Sequence, residues 1–451
     1  MELRLPMPCR EIIAVIFAAG MAAGGTAASA LAQSVPPLRG TLYEQAQGGG
    51  GIPAPLPVTA KLAETRLEIE PLEPVPAPRR RRAVTDPYAP LGIGNAGLRL
   101  YPAISFGPVY SSNVSNGPDD PASSTGLLLK PAIRLESNWA RHSLTAGFDG
   151  AFAYYRDHGG FDTGTFDLFQ RLRLDVRRHT SASFETSYNL DKPVGEDANE
   201  HKLAGFAGVT HDFGPVLATL KGGARTRIFE DQKFPGGATE DNGDRDYIEP
   251  SVSLRASYSL SAMLRPYIEA AYAPRVYSVK PDRDGLNRDS EGYGLAAGVE
   301  LAAGPIWTGD LGLTYLHRYY QDHNLDAVDA VGLAGSVTWS PSELTRIVMA
   351  TGTAIDEATA VAASAAPVWT AGIAVTQALR ENIDIAASAS IGIKDVGSSF
   401  DKTYEAGLGV SWKLNPVLAW TAGYDLTWLD AGRSDDSFAE HRVSMGMTLS
   451  R

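Results

Sequence analysis

Basic side chains recur at every second position in the first half of the chain. Arg171 and Arg173 are two residues apart, as are Arg225 and Arg227, and Lys221 shares their odd-numbered phase. Alternate residues of an extended strand lie on one face of it. A face rich in such cations favours anionic solutes. The candidate pore-lining residues are Lys130, Arg134, Arg171, Arg173, Lys221, Arg225, Arg227, Arg255 and Arg265.

The same phase also carries carboxylates, which keeps a second interpretation open. In that interpretation the arginines pair with these acids and simply line a wet wall. The acids include Glu136, Asp149, Asp175, Glu185, Glu249 and Glu269.

The element that positions the charges is clearest in the stretch Phe166–Tyr188. Leu168, Leu172 and Leu174 alternate with charged residues, and after Arg178–Thr180 the alternation resumes. This pattern predicts a strand, a tight turn and a second strand with one apolar and one charged face. It fits a soluble sheet, and equally a transmembrane barrel with lipid outside and water inside.

About eighteen such segments of roughly ten residues run from Leu98 to Leu449, the length that a tilted strand needs to cross a bilayer. Connections alternate between short, such as Arg178–Thr180, and long, such as Glu230–Arg245. Only Leu344–Thr353 has an ambiguous phase. We predict an all-β protein, a transmembrane antiparallel up-and-down β-barrel of about eighteen strands, with sixteen as the alternative count.

Tryptophans agree with this prediction, because amphipathic rings favour the two membrane interfaces. Trp369 and Trp428 lie beside predicted long loops. The others lie beside predicted short turns, namely Trp139, Trp307, Trp339, Trp412 and Trp420.

Residues 1–32 have the features of a signal peptide: basic Arg4 and Arg10, an apolar centre, and a cleavage motif that ends at Ala32. The only cysteine, Cys9, lies within it, so the mature chain is expected to form no disulfide. The 451-residue chain has a net charge of −12, which argues against nucleic acid as a partner.

Residues 33–95 are rich in proline and predict a flexible periplasmic segment, followed by the barrel at 96–451. The segment contains the run Arg79–Arg82, which is either solvated or in contact with an acidic partner or anionic lipid.

Motifs for other chemistry are weak, so we expect no cofactor, no metal and no enzymatic activity. Gly92, Gly94 and Gly97 match a dinucleotide fingerprint, but no strand precedes them and no helix follows. Asp282–Asp289 resembles part of a calcium loop without its terminal glutamate. A hydrolase assembled from Ser and His on neighbouring strands is the least favoured alternative.

The stretch Asp86–Ile93, together with Leu127–Glu136 and Phe166–Val176, resembles the putative β-barrel porin 2 family. The resemblance implies an outer membrane barrel of a Gram-negative bacterium, in a family whose members are often uncharacterised and sometimes encoded with exopolysaccharide export genes. It brings no catalytic residues. The chain departs from many barrels in that Met447–Arg451 does not end on an aromatic residue.

The leading functional prediction is a porin or export conduit for small solutes or polysaccharide. The main alternative is a closed structural barrel whose long loops bind partners at the surface. Expected partners are outer membrane lipid, lipopolysaccharide and the barrel assembly machinery, with a polysaccharide export apparatus left open.

Overall fold

The computed structural model describes residues 87–94, 97–118, 121–192, 198–233, 239–303, 306–356, 365–397, 399–432 and 437–451. The predicted signal peptide, its cleavage site and the run Arg79–Arg82 lie outside this range. No helix among the described residues is long and apolar enough to cross a membrane.

Among the described residues, eighteen long strands form one closed antiparallel barrel, which confirms the predicted fold and strand count. In chain order they are β1 (Leu98–Ser111), β2 (Ser124–Ser137), β3 (Ser143–Tyr155), β4 (Thr163–Arg177), β5 (Thr180–Asp191), β6 (Glu200–Asp212), β7 (Val216–Phe229), β8 (Tyr247–Tyr258), β9 (Leu264–Tyr272), β10 (Ser290–Ala303), β11 (Trp307–Tyr320), β12 (Val328–Trp339), β13 (Thr345–Asp356), β14 (Ala366–Arg380), β15 (Ile383–Asp395), β16 (Phe400–Lys413), β17 (Leu418–Asp430) and β18 (Phe438–Ser450).

Each strand pairs with its neighbours in sequence, and β1 pairs with β18 to close the ring. At the short-turn end the chain reverses tightly, for example between Arg177 and Thr180. At the long-loop end it passes through connections such as 230–246. The short strand Ile93–Gly94 pairs with Arg99 and Leu100, where β1 extends beyond its partner β18.

One face of the barrel wall exposes large apolar side chains at alternate positions. Leu254 is 55% exposed and Ile268 is 66% exposed, whereas Arg255 and Glu269 between them are buried on the other face. A water-soluble protein rarely exposes so continuous an apolar surface. Lipid therefore contacts the apolar face, and the charged phase points inward, as the alternation predicts.

Prolines fall where one ladder of hydrogen bonds is interrupted, because proline has no N–H to donate. Pro131 pairs with Ile104 on β1, but β3 has no partner for it. Pro266 pairs with Val299 of β10, and the ladder to β8 stops at Tyr267. These prolines thus lie within strands, not at the strand ends.

Candidate functional site

The predicted pore-lining residues all lie on the charged phase of their strands. Lys221 alternates with Leu220, which is 54% exposed on the apolar face. Whether these residues line a conducting path stays a prediction. They are distributed as Lys130 and Arg134 on β2, Arg171 and Arg173 on β4, Lys221, Arg225 and Arg227 on β7, Arg255 on β8 and Arg265 on β9.

Arg171, Arg173, Lys221 and Arg225 form what we call the basic face, and carboxylates accompany it. Arg173 Nε lies 3.3 Å from Asp175, and both side chains are more than a third exposed. Lys221 Nζ lies 3.0 Å from Glu185 on β5. The Arg173 pair is exposed to solvent, which screens it, so this pair contributes little to stability.

Two phenylalanines on the charged phase pack against cations, and neither was singled out from the sequence. The guanidinium groups of Arg134 and Arg171 lie 4.7 and 5.5 Å from the ring centroid of Phe169. Lys221 and Arg225 lie 4.9 and 5.7 Å from Phe206. Cation–π contacts of this kind hold the flexible cations close to the wall. The available signal was an aromatic residue on an otherwise polar phase.

A buried cluster of charges surrounds Glu249 of β8, which is 2% exposed. Arg275 lies 2.8 Å and Arg318 of β11 also 2.8 Å from its Oε2, and Arg225 lies 3.6 Å from Oε1. Arg318 reaches Glu249 across Gly292, where a Cβ would approach Arg318 Nη2 to 2.9 Å. Several arginines thus converge on one carboxylate.

The second buried cluster has the opposite composition, with three carboxylates around Arg255. Its guanidinium lies 2.7 Å from Glu269, 3.4 Å from Glu300 and 3.5 Å from Asp310. It also covers the ring of Tyr267 at 4.0 Å, and the hydroxyl of that tyrosine donates to Asp310 at 3.1 Å. Arg255 is therefore held within the inner wall at 3% exposure.

The structure does not bring the whole predicted set together. Arg134 is 4% exposed and pairs with Asp149 at 3.5 Å. Lys130 lies at the seam of the barrel, where it lines a small recess with Asp425 of β17. Arg265 stands opposite Glu300 in the register of β9 and β10.

Arg318 and Arg275 were missed because they lie beyond the predicted segments. Arg318 lies near the end of β11, which continues to Tyr320, and the exposed Tyr319 beside it still follows the apolar phase. Arg275 lies outside the long strands, so no periodicity marks it.

The predicted calcium-like loop is satisfied by its own atoms. Asp282 accepts the backbone N–H groups of Asp284 and Leu286, at 2.9 and 2.8 Å, and pairs with Arg288 at 2.6 Å. In the part of the chain that the structure describes, no three acidic, His or Cys side chains converge in a way that could hold a metal.

Two carboxylates of the neighbouring loop have pKa values shifted in opposite directions. The hydrogen bond from Arg283 lowers the pKa of Asp244 below its ordinary range. Burial raises the pKa of Asp246 to about 7. Asp246 accepts the backbone N–H of Phe229 at 2.8 Å, so it joins the loop to the end of β7.

A closed barrel with an apolar exterior, a charged interior and loops of unequal length at its two ends defines an outer membrane β-barrel of the porin class. The family model "Putative beta-barrel porin 2" matches residues 86–451, and the chain belongs to this family. The resemblance seen in the sequence is therefore confirmed.

Solved structures similar to the chain include the siderophore receptor PirA from Pseudomonas aeruginosa, with 9% identity, 78% of this chain and 80% of that chain covered, and a TM-score of 0.38. The Pseudomonas aeruginosa protein OccK8 (OprE) is also similar, with 9% identity, 79% of this chain and 98% of that chain covered, and a TM-score of 0.39. Scores this low carry no argument about solutes. No curated protein matches the chain.

Proposed function

We propose that the barrel is an outer membrane conduit for small solutes that favours anions and acidic sugars. The observation that carries this proposal is the basic face, where Arg171 is exposed and Arg173 partly exposed on the charged phase. Exposed cations on a water-filled wall raise the local concentration of anions. The proposal assigns the chain no catalytic role.

The test is a recording from the full-length mature protein in a planar lipid bilayer. The folded barrel is expected to give discrete conductance steps and, in a KCl gradient, a reversal potential displaced toward the chloride equilibrium value. The same protein denatured before addition is the control. A correctly folded barrel that gives no steps contradicts the conduit.

Export of a polysaccharide is a narrower form of the same proposal. It draws on small residues of the inward phase in β14, namely Gly372 and Ala374, which leave space beside the wall. An acidic oligosaccharide is expected to block the current in a side- and voltage-dependent way, whereas a neutral oligosaccharide of the same length blocks less. Equal block by both contradicts a preference for acidic chains.

The buried cluster around Glu249 favours a second candidate, a closed barrel that presents its loops to a partner. Next to it, Tyr320 and Leu325 pack with Leu286 at the long-loop end. A closed barrel would show no conductance in the recording described above. Lipopolysaccharide and the barrel assembly machinery are the proposed partners under either function.

A further inference from the structure

Strand β13 leaves its neighbour β12 halfway along its length. Only Ile347–Thr351 pairs with β12, opposite Gly335–Trp339. Its ladder to β14, in contrast, continues through Asp356, which pairs with Ala366. The half of the β13–β14 hairpin near the long loops has therefore separated from the wall on the β12 side.

This half of β13 lies against the inner face of the barrel. Residues 352–355 are all buried, whereas a strand in the wall alternates between lipid and lumen. Ile355 packs in one cluster with Leu316 and Tyr320, which lie on the charged, inward phase of β11. The backbone N–H of Ala365 donates to the Tyr320 hydroxyl at 3.0 Å.

Side chains replace the missing ladder to β12. Thr353 Oγ1 donates to the carbonyl of Leu333 at 3.0 Å, and Trp369 Nε1 donates to the carbonyl of Val331 at 2.9 Å. Gly332 lies between these carbonyls, and a Cβ there would approach Thr353 Oγ1 to 2.2 Å. The glycine thus permits the close approach of the displaced strand.

At the tip of the displaced strand, Asp356 joins distant parts of the barrel. Its carboxylate lies 3.5 Å from Arg227 of β7 and 3.4 Å from Lys394 of β15. Strands β8 to β12 separate β7 from β13 in the wall, so the pair with Arg227 crosses the interior. The three side chains are 25–32% exposed and hence border water.

We propose that Asp356, Arg227 and Lys394 form the constriction of the conduit near its long-loop end, and that this constriction determines the size and charge of passing solutes. The ion pairs of Asp356 with Arg227 and Lys394, here called the bridge, narrow the lumen between β7 and β13. Its two cations continue the charge of the basic face, and Asp356 neutralises part of that charge. The transport part of this inference rests on the proposed function, whereas the bridge itself does not.

The bridge can be tested without any conductance. Ala354 is 5% exposed and follows Thr353 in the displaced strand. Cysteine introduced as Ala354→Cys reports, by its rate of labelling with a water-soluble maleimide, how often this strand leaves the inner wall. Adding Asp356→Asn or Arg227→Gln is expected to accelerate labelling about two- to fivefold, the effect of losing a partly exposed ion pair.

Two further variants serve as controls in the same assay. Asp356→Glu keeps the charge and is expected to label as slowly as the parent. Asp191→Asn changes a carboxylate on the inward phase at the end of β5. It is also expected to leave the labelling rate unchanged. Equal labelling of the Asp356→Asn and Asp356→Glu variants overturns the bridge.

Bilayer recordings then test its role in selection. Asp356→Asn is expected to increase the single-channel conductance and to strengthen the preference for anions, because both cations remain. If the parent protein conducts and Asp356→Asn changes neither quantity, the constriction is overturned while the conduit stands. If the parent does not conduct, the proposed function fails, and the labelling result alone decides whether the bridge exists.

Discussion

The basic face and the part of the barrel wall formed by β8 to β11, here called the arc, carry the same residue types on the inward phase. They differ in how far these residues are exposed to solvent. Arg173 and its partner Asp175 are 37% and 40% exposed. Arg318 and its partner Glu249 are 0% and 2% exposed. Arg173 is thus a hydrated group on the basic face, whereas Arg318 is a packed interior group of the arc.

Small residues explain how the arc accommodates its charges. Tyr267 lies across Gly298 and Gly312, where a Cβ would approach its ring carbon to 2.8 Å and its hydroxyl to 2.5 Å. This lets the side chain reach Asp310 two strands away. Glycines at these positions thus allow the aromatic ring beside Arg255 to pack flat against the neighbouring strands.

The largest expected effect is on stability, from Glu249→Gln. This change leaves Arg275 and Arg318 buried with a neutral partner, which costs about 3–5 kcal/mol. The measurement is the free energy of unfolding in urea, followed by tryptophan fluorescence in lipid vesicles.

The matched variant is Glu185→Gln, which removes the partner of Lys221 on the basic face. Its side chain is 28% exposed, and the expected loss is about 0–1 kcal/mol. Equal losses in the two variants would abolish the distinction between the basic face and the arc.

Tyr267→Phe is expected to have the next largest effect. It removes the hydroxyl that donates to Asp310, a residue that is only 1% exposed. Asp310 keeps its contact with Arg255 at 3.5 Å, so the expected loss is that of one hydrogen bond to a charged group, about 1.5–3 kcal/mol. The same urea titration measures the loss.

Tyr293→Phe serves as the control, because that hydroxyl donates to Glu291 on the outer surface. Exposed substitutions usually remain within about 0.5 kcal/mol. A loss for Tyr293→Phe as large as that for Tyr267→Phe would show that burial is not the cause.

The basic face should respond in selectivity and hardly in stability. Replacing both Arg171 and Arg173 by glutamate is expected to displace the reversal potential in a KCl gradient toward the cation value, with a stability change of about 0–1 kcal/mol. Arg177→Glu, at the short-turn end of β4, is the control. An unchanged reversal potential would place the pair away from the conducting path.

The sequence predicted the strands and their inward phases because lipid on one side imposes a period of two. The same reasoning failed to resolve Leu344–Thr353. In β13 the inward phase carries the apolar Val348 and Ala350 and the outward phase carries Thr351, so neither face is uniformly apolar. Beyond Thr351 the strand lies inside the barrel, where no lipid imposes the period.

The alternation also could not predict which residues the charged side chains contact. Periodicity gives the face on which a residue lies but not the neighbour that it reaches. Arg227 and Asp356 meet only because β13 turns inward. The cluster around Glu249 likewise needs Arg275, which lies outside any long strand.

The most local expected effect concerns pH and extends the comparison to the loops. Glu249 is neutralised by arginines, whereas Asp246 is held toward its protonated form because burial raises its pKa to about 7. Since the folded loop binds this proton more tightly than the opened loop, the free energy of opening falls as pH rises from about 4 to about 7. It is constant above that range.

Hydrogen exchange at the backbone amides of Phe229 and Ser278, which donate to Asp246, measures this effect. After correction for the intrinsic rate, protection is expected to be greater at pH 5 than at pH 8, and Asp246→Asn should remove the difference. Asp244→Asn should leave it intact, because Arg283 lowers the pKa of Asp244, and its contribution is lost only at more acidic pH. Protection that rises with pH would mean that Asp246 is stabilised as the carboxylate, as Glu249 is.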